Sequence, residues 1–178
     1  IHTSPLLCFG ELPDFILTRI LARVAVPFFF MVTGFFVLQD LQWNGDGRKK
    51  WHRQLGKLGI LYGVSFLLYV PIMIYSGYFG EDFTIIGFLK DILINGTFYH
   101  LWYLPAAITG VFLVGILLRY GKERVAVILS ILLYFIGLLG DSYYGLTEKI
   151  DWLKKCYDGI FMISEYTRNG LFFAPVFL

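Results

Sequence analysis

The stretch that decides the fold runs Arg19-Ile-Leu-Ala-Arg23-Val-Ala-Val-Pro-Phe-Phe-Phe-Met-Val-Thr-Gly-Phe-Phe-Val-Leu38. Its length and apolar character match the ~20 residues a membrane-crossing helix needs. Two arginines sit in its first turns. A guanidinium keeps its charge in a protein. A charge at the centre of a span costs at least ~2.5–3.5 kcal/mol, and less toward the ends. Such a residue either snorkels to the headgroups or faces a partner, a watery cavity or a ligand. Arg19 suits snorkelling. Arg23 lies a turn deeper on the same helix face and is a functional candidate.

The rest of the chain agrees. Charged residues make up 16% of its 178 positions, against roughly 25% in a soluble domain. Mean hydropathy is +0.67. These values predict an integral membrane protein with several spans. The net charge of +2 comes without a Lys/Arg-rich arm, so no nucleic-acid partner is expected. Cys8 and Cys156 are too few for a disulfide framework or a zinc cluster. No His/Cys cluster has metal-ligand spacing, so no metal is expected. No phosphate-cradling glycine loop or nucleophile elbow is present. The first residues lack the charged start and cleavage site of a secretory signal.

Four apolar segments stand out, at about 20–38, 58–76, 101–118 and 125–140, and a fifth begins near Arg168. The chain starts on Ile1-His-Thr-Ser-Pro5 and stops inside the apolar run Leu171–Leu178. Both ends read as cuts through helices. The expected fold is therefore all-α: a polytopic transmembrane bundle of about four full spans plus truncated helices at both ends. Residues 1–178 form a single membrane domain. Pro27, Pro71 and Pro105 fall inside three of the spans and predict kinks. Gly59 and Gly63 have the spacing of a small-residue helix contact.

Loop charge sets the expected orientation. Residues 39–57 carry a net +3 and residues 119–124 a net +2. Residues 77–99 and 141–167 each carry −2. Basic loops stay in the cytoplasm, so 39–57 and 119–124 are expected inside and the other two outside. Within the first external loop, Phe83–Ile94 repeats apolar residues at helical spacing and predicts an amphipathic helix on the outer surface. Trp152, Tyr143, Tyr144 and Tyr157 would suit the outer membrane interface.

This topology brings His2, Arg23, His100 and Arg168 toward the outer leaflet, from four different helices. Together they would frame one intramembrane cavity. Imidazole moves a proton readily near neutral pH, and nearby arginines favour its neutral, basic form. Plainer roles exist for each: His2 and His100 as helix-end residues, Arg168 as a snorkelling helix start. His52 reads as solvated. Asn95-Gly-Thr97 fits the glycosylation triplet, a pattern common by chance. Arg53 and Lys57, beside the second span, read either as phosphate anchors for a cytoplasmic cofactor or as ordinary topology signals.

The chain resembles the acyltransferase-3 family of polytopic membrane acyltransferases. The resemblance rests on His2-Thr-Ser-Pro5, Arg23-Val-Ala-Val-Pro-Phe-Phe-Phe-Met-Val-Thr-Gly34, His100-Leu-Trp-Tyr-Leu-Pro105 and Thr167-Arg-Asn-Gly-Leu-Phe-Phe-Ala-Pro175. It covers essentially the whole chain, as a central slice of a roughly ten-helix domain. It implies that His2 matches the family's catalytic histidine, and that Arg23, His100 and Arg168 belong to the same site. It also implies acyl-CoA as donor and a hydroxyl of a carbohydrate or envelope molecule as acceptor. The implied setting is the lipid of a bacterial plasma membrane. The family's basic pair for coenzyme A phosphates matches the region Arg53-Gln-Leu-Gly-Lys57, with wider spacing and a lysine for an arginine. The same membrane domain is similar to the N-terminal half of membrane-bound serine racemases of vancomycin-resistance clusters. That similarity keeps open a transporter or sensor for a small polar solute such as serine.

Overall fold

The computed structural model describes residues 5, 7–21, 24–38, 45–80, 83–97, 101–140, 142–161 and 170–178. Every regular element among them is helical. The short α1 (Glu11–Phe15) runs into a wider turn over Ile16–Leu21. It is followed by α2 (Ala25–Leu38), α3 (Gly45–Tyr75), α4 (Ile85–Lys90), α5 (Tyr103–Arg119) and α6 (Glu123–Gly140). The short α7 (Tyr144–Thr147) and α8 (Asp151–Cys156) precede α9 (Gly170–Phe177).

Two helices, Asp46–Tyr75 and Glu123–Gly140, are long and apolar enough to cross a membrane. Only 6% and 22% of their apolar stretches are buried in the molecule, unlike the core helix of a soluble protein. Ile60, Leu67, Leu68 and Phe36 stand exposed, more apolar surface than a water-soluble monomer tolerates. Four full spans are not reached among the described residues. α2 has 14 residues and α5 has 17. At 1.5 Å per residue these are ~21 and ~26 Å long, short of the ~30 Å hydrocarbon core.

Helices α2, α5 and α9 run in one direction, and α3 and α6 run against them. Near the starts of the first three, Phe30, Ala106, Ala107 and Ala174 form a buried cluster with Val26, Trp102 and Tyr103 around it. Further along, Val37 and Leu38 of α2 meet Val111 and Val114 of α5 and Trp51, near the start of α3. Gly137, late in α6, packs against Phe172 and Phe173, early in α9. This is the alternation the loop charges require.

The packing is of the small-residue type, because lipid offers no hydrophobic gain for bringing helices together and close backbone approach must supply dispersion instead. A Cβ on Gly110 would lie 3.0 Å from that of Ala174. A Cβ on Gly170 would lie 2.5 Å from that of Ala106. The predicted contact at Gly59 and Gly63 is not made: neither would bring a Cβ within 4 Å of anything. Small residues at this spacing are common in apolar helices, and only the position of a neighbour selects which pair is used.

Two of the three predicted kinks also fall away. Pro27 and Pro105 are each the third residue of their helix. In a first turn the missing N–H has no helical partner to lose. Pro71 does lie inside α3, and Pro175 lies inside α9.

The amphipathic helix is present as α4 and its continuation Asp91–Asn95. The Thr84 side chain caps it by accepting from the Gly87 N–H at 3.3 Å. Phe88 packs on Phe66, Tyr78, Phe79 and Phe83, while Ile85, Ile86, Leu89 and Leu93 are exposed. Trp152 and Tyr143 are exposed as an interfacial role requires. Tyr157 is not: it is buried, and its hydroxyl donates to the Ile136 carbonyl at 2.8 Å, tying this segment to α6.

Candidate functional site

At one end of the bundle three helix starts are packed together. The Phe30 and Tyr103 rings lie 4.8 Å apart, and the Thr33 hydroxyl is 3.2 Å from that of Tyr103. The backbone of Leu101 and Trp102 is wedged between two glycines. On one side is Gly96, whose positive φ of 76° suits glycine and where a Cβ would lie 2.5 Å from the Trp102 nitrogen. On the other is Gly170, where a Cβ would lie 2.9 Å from the Trp102 ring. Val26, Leu101 and Gly170 thus sit at one end of the molecule. In sequence they follow Arg23 by three positions, His100 by one and Arg168 by two. His2, Arg23, His100 and Arg168 themselves lie outside the described residues.

Upstream of α2, Asp14 is buried, and its carbonyl accepts the Thr18 hydroxyl at 2.7 Å. A carboxylate removed from water needs polar partners, and Asp14 has a further interaction. Its sequence context, Leu-Pro-Asp-Phe, carries no motif that singles it out.

The opposite end is basic. Trp51 is buried there, its indole donating to the Val111 carbonyl at 3.2 Å and stacking on Phe112. A Cβ at Gly115 would come within 2.4 Å of the indole nitrogen, so a glycine is needed beneath the ring. With Trp51 pinned inward, Arg53 and Lys57 are left exposed. The turn between α5 and α6 adds exposed Arg119, Lys122 and Arg124. Beside this turn a cavity of about 430 Å³ opens between α5, α6 and α9. Its wall is mostly apolar, with Leu38, Val114 and Leu118 on one side and Ser130 and Pro175 on the other.

Between the ends, the external-side segment carries a polar knot. Asp91 accepts from the Tyr78 hydroxyl and, at 2.9 Å, from the Asn95 amide. Burial, then the bond to Asp91 and its charge, push the Tyr78 phenol up to about 12. Thr97 is buried, so Asn95-Gly-Thr97 forms a packed turn rather than an accessible acceptor triplet. Among the described residues no three His, Cys, Asp or Glu side chains are grouped to hold a metal.

The family model described as an acyltransferase domain matches residues 1–176. The chain belongs to the acyltransferase-3 family. Within the curated proteins, this acyltransferase-3 domain is 48% identical over 177 residues to an amino-acid racemase of Enterococcus faecalis, covering 99% of the chain. It is 44% identical over 182 residues to a second amino-acid racemase of that species. It is 36% identical over 180 residues to a serine/alanine racemase of Enterococcus gallinarum, and both of these matches cover the whole chain. The chain spans about a quarter of the length of these relatives, 24 to 26%. No solved structure matches it.

Sequence reasoning about this acyltransferase-3 domain missed the Thr33–Tyr103 contact and the cavity. The first was within reach, since both residues lie inside the quoted motifs. The second was not, because its wall is drawn from four helices and contains few polar residues.

Proposed function

We propose that this domain is an integral-membrane acyltransferase. It moves an acyl group, acetyl the expected one, from acyl-CoA to a hydroxyl of a cell-surface carbohydrate or envelope molecule. The acceptor oxygen attacks the thioester carbonyl carbon while His2 takes its proton. Arg23, with His100 or Arg168, stabilises the negative oxygen of the tetrahedral intermediate. The C–S bond then breaks, and the departing thiolate takes up a proton. Arg53 and Lys57 hold phosphates of the donor on the cytoplasmic side.

The observation that carries this reading is the packed junction of the starts of α2, α5 and α9, where three of the motif segments begin. The family match supports the reaction class. The exposure of Arg53 and Lys57, held outward by the anchored Trp51, supports the donor assignment.

Turnover of labelled acyl-CoA by the purified full-length parent tests it. Release of coenzyme A together with a labelled, ester-linked acceptor is expected. A parent that binds or hydrolyses no acyl-CoA in native-like membranes would overturn it. The racemase names of the relatives favour a second reading, in which the domain carries or senses a small polar amino acid such as serine. Saturable serine uptake into vesicles holding the parent, with no acyl transfer, would select that reading.

A further inference from the structure

The two ends of the bundle pose a problem of reach. The motif segments meet at one end and the basic residues collect at the other, on helices ~26 Å long. The donor must place its thioester well inside the bundle while its phosphates stay in water.

From the cavity between α5, α6 and α9 we infer the slot that takes the pantetheine arm of acyl-CoA, with the phosphates held at the turn Arg119–Arg124. This inference rests on the acyltransferase reading above. Two independent features of the cavity point to that occupant. The first is its mouth. Leu118 and Glu123 line the wall, and Arg119, Lys122 and Arg124 adjoin them in the connecting turn. Three cations against one carboxylate suit a diphosphate, with Glu123 opposing it. The second is Ser130. It is only 7% exposed, lines the cavity, and no hydrogen bond holds its hydroxyl among the described residues. A hydroxyl so far from water needs a partner. Ser130 lies eight residues beyond Lys122, ~12 Å of helix rise. A pantetheine arm presents amides at about that depth, whereas a lipid tail would leave the hydroxyl unsatisfied. The volume of about 430 Å³ accommodates such an arm.

The test uses the full-length parent in nanodiscs and measures binding of coenzyme A and of adenosine 3′,5′-bisphosphate, which lacks the arm. Ser130→Trp fills the slot and is expected to lower coenzyme A affinity at least tenfold. Ser130→Val keeps the volume and removes only the hydroxyl. It is expected to weaken coenzyme A several-fold and leave the bisphosphate unchanged. Arg119→Ala combined with Lys122→Ala is expected to weaken coenzyme A by roughly tenfold or more, more steeply at low salt. Coenzyme A binding that survives Ser130→Trp and Ser130→Val unchanged overturns the slot while leaving the acyltransferase reading intact. Should Ser130→Trp not fold, the Ser130→Val contrast between the two ligands decides alone. A wild-type parent that binds no coenzyme A removes the donor reading and the slot with it. Protection by phospholipid instead of coenzyme A assigns the cavity to a lipid tail.

Discussion

The indole N–H of Trp51 donates to the carbonyl of Val111 at 3.2 Å and so joins the start of α3 to the middle of α5. Gly115, one turn further along α5, leaves the space in which that ring lies. Three consequences follow for the basic end. α3 cannot rotate without breaking the bond, Arg53 and Lys57 are kept on the outside, and α5 is held against both α2 and α3.

Gly115→Leu should therefore destabilise the protein by about 1–3 kcal/mol through overpacking against the indole. Trp51→Phe should lower stability by about 1 kcal/mol for the lost hydrogen bond. In a Trp51→Ala background the Gly115→Leu penalty should largely vanish, because the ring it strikes is gone. Thermal unfolding of the four proteins in one detergent measures this; strictly additive effects would contradict the contact.

Gly170→Val should separate the starts of α5 and α9, since even a Cβ there meets Ala106 and Trp102. A stability loss of about 1–3 kcal/mol is expected, together with loss of activity from the adjoining motifs. Gly59→Ala is the control. It meets open space in this domain, so it should be neutral. A loss at Gly59 as large as at Gly170 would mean that another part of the parent covers this face.

Tyr78 supplies a pH prediction. Its phenol is raised to about 12 because burial and Asp91 both disfavour the phenolate. The stabilisation is fully present below the ordinary tyrosine value of ~10 and is lost as pH rises through 12. The difference in phenolate absorbance between wild type and Tyr78→Phe should show a late-titrating tyrosine. Asp91→Asn should bring that titration to lower pH without restoring it fully, since burial remains. A Tyr78 that titrates near 10 in the wild type would refute the arrangement.

Orientation in the membrane follows from loop charge, with 39–57 inside and 77–99 outside. Single cysteines in place of Asp46 and Glu81, with Cys8 and Cys156 removed, report it. A membrane-impermeant reagent on intact cells should label position 81 and spare position 46. The reverse pattern would invert the bundle and put the motif end in the cytoplasm.

The proposed base makes the sharpest kinetic prediction. His2→Ala in the full-length parent should reduce acyl transfer by about 10²–10⁴-fold while acyl-CoA still binds. His2→Gln retains hydrogen bonding but cannot accept the proton, so it should be nearly as inactive. If the glutamine variant keeps most activity, His2 positions substrate, and His100 becomes the candidate base.

Much of this architecture was legible before any fold was known. Apolar run lengths marked the five main helices, and loop charge marked their alternating directions, because both depend on local composition meeting a bilayer. The motif segments Arg23–Gly34, His100–Pro105 and Thr167–Pro175 were legible as a family pattern. Partner choice was not. Gly59 and Gly63 share the spacing of a helix contact yet touch nothing, while Gly110 and Gly170 face alanines across α5 and α9. Pro27 and Pro105 looked like kinks and proved to be first-turn residues. Tyr157 looked interfacial and proved to be an inward anchor.

The sequence by itself determined that this is an all-helical acyltransferase-3 domain with strongly apolar helices and one basic end. Those properties are sums over residues, and lipid and loop charge act on each residue separately. Only the tertiary structure decided which helix faces meet, that Trp51 is anchored over Gly115, that Thr97 is packed away, and that a cavity with Ser130 in its wall opens beside Arg119 and Lys122. Each of these depends on backbones from different helices approaching to within a methyl group's width. No single helix carries that information in its own sequence.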